Sequence, residues 1–258
     1  MVNPWKKPAR NHGQFIVFSE LDRLEAPDET FIGHRDILTR SKARYYFVAQ
    51  HLSGAILDVG CGRGYGFGIM QSYGRLQVGI DVSYNFLHDA QMREPDRLLA
   101  LASGDRLPFA EHSFDSIISF EVIEHIKDDV AFLRDLRRLA RDNAFIAIST
   151  PNKLISSRNV DIPLNPFHVR EYVAEEFYRL LRQEFSSVTV YGQHDNVRAV
   201  AWTNRWIDRV PMHWKYVLPT HVQGVLSVAL RARLRLDDCR FTTEDLDTAH
   251  SFVALCRI

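Results

Sequence analysis

The sequence predicts an α/β fold: a mostly parallel β-sheet with helices on both faces. Three observations predict it. Short apolar runs alternate with amphipathic segments of helical period, the pattern of successive βαβ units. The first apolar run ends in a glycine cluster, as strand-to-helix turns at a ligand crevice do. The composition is that of an ordinary globular chain: 258 residues, 46% apolar and 25% charged.

The elements follow in order. Residues 1–30 carry Pro4, Pro8, Gly13 and Pro27 among charged residues and read as a lead-in with one strand at Phe15–Phe18. Residues 35–52 place Ile37, Leu38, Tyr45, Val48, Ala49 and Leu52 near helical spacing, and Gly54 ends that helix. Strand one is Ala55–Val59, followed by a helix over Gly66–Tyr73. Strand two is Gln77–Ile80, followed by a helix over Ser83–Met92 with Ser83 as its N-cap. Leu98–Ala102 and Phe114–Phe120 are strands three and four. Asp128–Arg141 is an amphipathic helix, with Leu133, Leu136, Leu139 and Ala140 on one side and arginines opposite. Ala144–Ser149 is strand five, stopped by Pro151; Glu171–Phe185 is a helix. Ser187–Tyr191 and Ser251–Ile258 are strands six and seven.

Composition excludes several classes. Lys+Arg and Asp+Glu number 32 each, so no nucleic-acid partner is expected from charge. The three cysteines, Cys61, Cys239 and Cys256, form no CxxC, which argues against a disulfide framework and a cysteine metal site. No apolar run reaches the roughly 18 residues that span a bilayer, and Met1–Arg10 lacks the apolar stretch of a secretory signal. A cytoplasmic location is therefore expected.

The glycine loop reads Asp58-Val-Gly60-Cys-Gly62-Arg-Gly64-Tyr-Gly66. The dinucleotide fingerprint needs glycines at i, i+2 and i+5, and no choice of first glycine satisfies it, which disfavours a nicotinamide-dependent oxidoreductase. Asp81, at the end of strand two, suits a ribose diol. Asp105 follows strand three and suits an adenine amino group, with Leu107 against the ring.

The set ILDVGCGRGYG, GIDVS and SGDRLPFAEHSFDSIISFEVIEHI resembles class I S-adenosylmethionine-dependent methyltransferases, specifically from Ala55 to Asn152. It is most similar to the ubiquinone- and menaquinone-biosynthesis branch and its small-molecule relatives. The resemblance implies a Rossmann-like, seven-stranded, mostly parallel sheet with the last strand antiparallel. It implies S-adenosylmethionine as cofactor, with Asp58, Gly60, Gly62 and Gly64 on its methionine and sugar side. Asp81 would hold the ribose and Val82 would lie beside the adenine. Asp105 and Arg106 would meet the adenine edge, and Glu121 the methionine end and the acceptor. Arg44 and Tyr45 would cap the site. The domain plan is a lead-in and helix over 1–53 and a methyltransferase domain over 54–258, with an insertion at about 195–240 that could form an acceptor lid.

Methyl transfer from a sulfonium needs an aligned acceptor and, for a hydroxyl, a proton acceptor. Helical spacing would put Glu121, Glu124 and His125 on one face, with His168 in a proline-stiffened loop beyond. Three readings stay open: a general base at His168 or His125; a divalent metal on Glu121, Glu124, His125 and His168; and a structural role for Glu124 and His125. The expected acceptor is a small molecule, sugar or lipid-linked compound, methylated at oxygen. Residues 199–236 mix three tryptophans with six Lys+Arg, and 221–236 could touch a membrane surface peripherally. A catalytically silent cofactor-binding module, an RNA methyltransferase and an N-methyltransferase are the alternatives.

Overall fold

A computed structural model describes residues 35–157, 160–195 and 234–258. The expected strand at Phe15–Phe18 and most of the expected insertion lie outside the described residues. The strands are β1 (Ala55–Val59), β2 (Leu76–Asp81), β3 (Leu98–Leu101), β4 (Phe114–Phe120), β5 (Ala140–Pro151), β6 (Ser187–Asp195), β7 (Cys239–Thr242) and β8 (Ser251–Arg257). The helices are α1 (Arg35–Ala49), α2 (Phe67–Met70), α3 (Tyr84–Arg93), α4 (Asp129–Leu139), α5 (Lys153–Ser156) and α6 (Ala174–Leu181). Among the described residues no helix is long and apolar enough to cross a membrane.

The sheet order is β3-β2-β1-β4-β5-β8-β6-β7. The first five strands in that order pair in parallel, and β8 lies antiparallel between β5 and β6. The antiparallel last strand is as expected. The count is eight rather than seven, because Cys239–Thr242 adds an antiparallel edge strand to β6. Its sequence, CRFT, has no apolar run to announce it, and it falls within the stretch read as an insertion. Strand β6 also runs to Asp195, beyond the expected Tyr191.

Every residue of β1 is buried, as a parallel strand covered on both faces requires. One apolar cluster joins Leu57, Ile117 and Ile146 to α4 and α6; the other joins Ile56, Ile118 and Ala147 to α1 and α2. Ser83 caps α3 by accepting from the Phe86 N–H at 3.3 Å. Because β1, β2, β4, β5 and β6 run the same way, Val59, Asp81, Phe120, Pro151 and Asp195 end at one edge, where β8 begins.

Asn152 pins the loop that leads into β8. Its buried amide nitrogen lies 3.2, 3.1 and 2.8 Å from the carbonyls of Leu246, Asp247 and Ala249. Its Oδ1 accepts from the Leu154 N–H at 3.0 Å and so starts α5. Asn152→Ala leaves these carbonyls unsatisfied and is expected to cost about 1–3 kcal/mol, read as a lower urea midpoint. An unchanged midpoint would show that the loop holds without this side chain.

Candidate active site

The glycine loop turns between β1 and α2. Gly60, Gly62 and Gly64 all have positive φ, at 75°, 53° and 75°. At Gly60 the conformation is obligatory on two counts: a Cβ there would stand 2.3 Å from Val122 Cγ2. The Gly60 and Cys61 N–H groups donate to the Ile80 carbonyl at 2.8 and 3.0 Å, which ties the loop to β2. Asp81 completes the tie: its two oxygens accept from the N–H groups of Gly62 and Ser83 at 2.9 and 2.8 Å.

Asp58 lies beneath this loop and is 1% exposed. Its Oδ2 accepts from the Tyr45 hydroxyl at 2.9 Å, and its Oδ1 is buried without a partner. Burial foremost pushes this carboxyl up to about 7; the Tyr45 hydrogen bond opposes that and the nearby Asp81 charge adds to it. The two cap candidates therefore act at different places. Tyr45 meets Asp58, whereas Arg44, 4% exposed, reaches Gln193 Oε1 at 3.0 Å, Ser41 Oγ at 3.2 Å and Glu121 Oε1 at 3.6 Å. One helical turn earlier, Arg40 grips Asp195 with Nε and Nη2, the shortest distance being 2.6 Å. His250 Nε2 approaches the same carboxylate at 3.1 Å. Burial alone would raise the Asp195 carboxyl, but these two partners hold it well below the usual range.

Val82 is 69% exposed, next to Asp81. Asp105 is exposed and accepts from the Ser103 hydroxyl at 2.9 Å, closing a turn. Arg106 is exposed beside Pro108, Asp135 and Arg138 in a cavity of about 390 Å³. Leu107, expected against an adenine ring, is 2% exposed and belongs to the core.

The expected common face of Glu121, Glu124 and His125 does not form. Glu121 adopts φ 56°, and the regular turn after it is a short 3₁₀ segment, Ile123–His125. Glu121 Oε1 accepts from the Ser149 hydroxyl at 2.8 Å, and Glu124 Oε2 from the Thr150 hydroxyl at 3.2 Å. Successive strand residues point to opposite faces, so Ser149 and Thr150 draw the two carboxylates apart. Glu121 joins the α1 side. Glu124, fully buried, joins His125 and His168 instead. The four-residue ligand set thus reduces to three, whose potential ligand atoms lie within 4.8 Å of one another.

Both imidazoles in this group are fixed. His125 Nδ1 lies 3.0 Å from the Phe167 carbonyl, which can only accept, so Nδ1 carries the proton and Nε2 is the basic nitrogen. Asn165 Oδ1 accepts from the Phe167 N–H at 3.0 Å, which directs its amide nitrogen to His168 Nε2 at 2.9 Å. His168 Nδ1 therefore donates to Glu171 Oε1 at 2.6 Å, and Glu171 Oε2 accepts from the Ser156 hydroxyl at 2.5 Å. The rings stand 5.0 Å apart, edge to face. Glu124 Oε1 is buried without a partner; burial, then the Glu121 charge, raises this carboxyl well above its ordinary range. Glu171 and Asn165 were not foreseen, although their i+3 and i−3 spacing from His168 could have suggested them.

Known proteins resemble the stretch that forms this crevice. Residues 57–148 match the family described as "Methyltransferase domain". That stretch, from β1 to β5, is similar to methyltransferase domains. A Mycobacterium tuberculosis protein named a probable S-adenosylmethionine-dependent methyltransferase is 34% identical over 126 residues, 49% of this chain and 46% of that protein. The ubiquinone biosynthesis O-methyltransferase of Parvibaculum lavamentivorans is 30% identical over 105 residues, 39% and 42% of the two chains. The tRNA U34 carboxymethyltransferase of Idiomarina loihiensis is 35% identical over 163 residues, 58% and 44%. The chain thus spans about half the length of the relatives it matches. A solved S-adenosylmethionine-dependent methyltransferase of Archaeoglobus fulgidus shares the fold, with TM-score 0.58 and 14% identity over 93% of this chain and 99% of that one.

The residues fit the cofactor of this family: a glycine cradle that a Cβ would fill, an acid at the end of β2, and a buried carboxylate with one oxygen unpartnered. Gly60→Ala must move the loop or Val122. It is expected to cost about 1–3 kcal/mol of local strain and to weaken S-adenosylhomocysteine binding at least about tenfold by calorimetry. Unaltered affinity would mean that the cradle does not hold the ligand.

Proposed function

We propose that the chain transfers a methyl group from S-adenosylmethionine to an oxygen atom of a small-molecule, sugar or lipid-linked acceptor. No nucleic-acid partner is part of this reading, and peripheral membrane contact through 221–236 is. The carrying observation is the His168–Glu171 pair, set beside His125 where β4 and β5 end. Three free cysteines suit work in the reducing cytoplasm.

When bound, S-adenosylmethionine supplies an electrophilic methyl group. Gly60, Gly62 and Gly64 let the backbone approach it, and Asp81 and Asp58 hold its polar parts. Asp105, Arg106 and Val82 meet the adenine side, and Glu121 the methionine end. The remaining task is the acceptor hydroxyl's proton. His168 Nε2 is the base once an acceptor hydroxyl displaces the Asn165 amide from it; the opposite nitrogen is held by Glu171, which orients the ring and stabilises the imidazolium. His125 presents its basic Nε2 in the same group. The oxygen preference also draws on the relative named an O-methyltransferase.

A second reading has its own observation. Glu124 Oε1 is buried and unpartnered, and both histidines have Nδ1 committed to an outer partner; a cation would bind at Nε2, in place of the Asn165 amide at His168. Glu124, His125 and His168 would hold a divalent cation, and such an ion would lower the pKa of an acceptor hydroxyl.

Methyl-labelled S-adenosylmethionine incubated with fractionated lysate tests both readings. Label is expected in the small-molecule, glycan or lipid fraction; label confined to RNA or protein overturns the acceptor class. His168→Ala is expected to lower the rate by about 10²-fold or more, and wild-type turnover would discard the base. Loss of labelling with a chelator, restored by added divalent ion, supports the metal; unchanged labelling removes it.

A further inference from the structure

Among the described residues, those around Asp58 bring acids and phenols but no cation that pairs with it. The titratable groups around it are Tyr45 from α1, Cys61 and Tyr65 from the glycine loop, and Asp81 from β2. Its register partners are Gly79 on β2 and Ile118 on β4, neither of which ionises. The nearest buried guanidinium, that of Arg44, is engaged with Gln193, Ser41 and Glu121. An ionised carboxylate in such a place lacks the positive partner that burial of a charge demands. It also has one oxygen without any hydrogen bond. The bound methyl donor carries two positive groups, a sulfonium and an ammonium.

We infer that Asp58 exchanges a proton for the cofactor's positive charge. Without cofactor the carboxyl keeps its proton. When the cationic ligand binds, the O–H bond breaks, the proton passes to solvent, and the carboxylate so formed pairs with the ligand. This rests on S-adenosylmethionine being the ligand and adds a proton to its binding equilibrium. The raised titration of Asp58 agrees with this, since a midpoint of about 7 leaves the acid largely protonated in mildly acidic solution. The neighbours agree as well: Tyr45, Tyr65 and Cys61 are each pushed up, by burial first and by Asp58 among further causes. A buried carboxylate with one unpartnered oxygen, set among groups that burial keeps neutral, is one that a cation relieves.

The sign follows from linkage. Affinity rises with pH as Asp58 loses its proton and levels off above its midpoint. Between pH 5.5 and 7 the expected gain is about tenfold, a window below the roughly 7.7–8.0 at which an α-amino group itself titrates. The experiment is calorimetric titration of the full chain with S-adenosylmethionine and with S-adenosylhomocysteine, in buffers of different ionisation enthalpy. Near pH 6 binding is expected to release most of one proton. Release with both ligands assigns the ammonium as partner, and release with S-adenosylmethionine alone assigns the sulfonium. Asp58→Asn is expected to abolish the release and flatten the profile. Tyr45→Phe removes a hydrogen bond that favours the ionised form, so the rise moves to higher pH. That variant reads the same linkage should the asparagine chain fail to fold. Affinity independent of pH with no proton exchange, or unchanged release in Asp58→Asn, overturns the proposal. Absence of binding by either ligand at every pH overturns the cofactor reading itself.

Discussion

Buried carboxylates at one edge of the sheet are the constraint on which the site depends. Asp58, Asp81, Glu124 and Asp195 are each at most 9% exposed, all at or just past strand ends. Water cannot solvate them, so the protein must supply hydrogen bonds or cations, or leave the acid protonated. Asp195 has Arg40 and His250. Asp81 has two backbone N–H groups, and through them it shapes the glycine loop. Asp58 and Glu124 are each left one oxygen short. The two incompletely satisfied acids stand where ligands of positive charge would complete them, one beneath the glycine loop and one beside two imidazoles.

Helix α1 is the counterweight to this charge. Along one stripe it presents Arg40, Arg44 and Tyr45, and each answers a different strand: β6, the residue after β4, and β1. Such contacts order a helix whose own apolar stripe is modest, and they make the covering of the crevice a matter of polar fit as well as burial. Tyr45 shows both sides, since its ring packs against Tyr65 and Phe120 while its hydroxyl meets Asp58. It also limits the loop, because a Cβ at Gly66 would meet that ring at 2.4 Å.

The parallel strands were legible because their burial on both faces writes continuous apolar runs. β1 and β4 match the expected spans residue for residue. The edge strand β7 was not legible, since an edge needs no apolar run and CRFT has none. At the site, the candidates were legible by residue type, but the side of the sheet each would occupy was not. That depends on a positive φ at Glu121, a non-glycine residue whose sequence gives no sign of it. Pairings across long separations, such as Arg40 with Asp195, were equally hidden. The turn that anchors His168 was closer to readable, because Asn165, His168 and Glu171 lie within seven residues.

The parting of Glu121 and Glu124 between Ser149 and Thr150 reaches beyond this one site. Two adjacent residues on one strand hold two carboxylates by separate hydrogen bonds, although the Glu121 charge is still felt at Glu124. One carboxylate faces Arg44 of α1 and the other the histidine pair. Substitutions around one can accumulate without disturbing the hydrogen bonds of the other. A scaffold that holds its acids by separate hydrogen bonds can vary the surroundings of one while the anchor of the other stays in place.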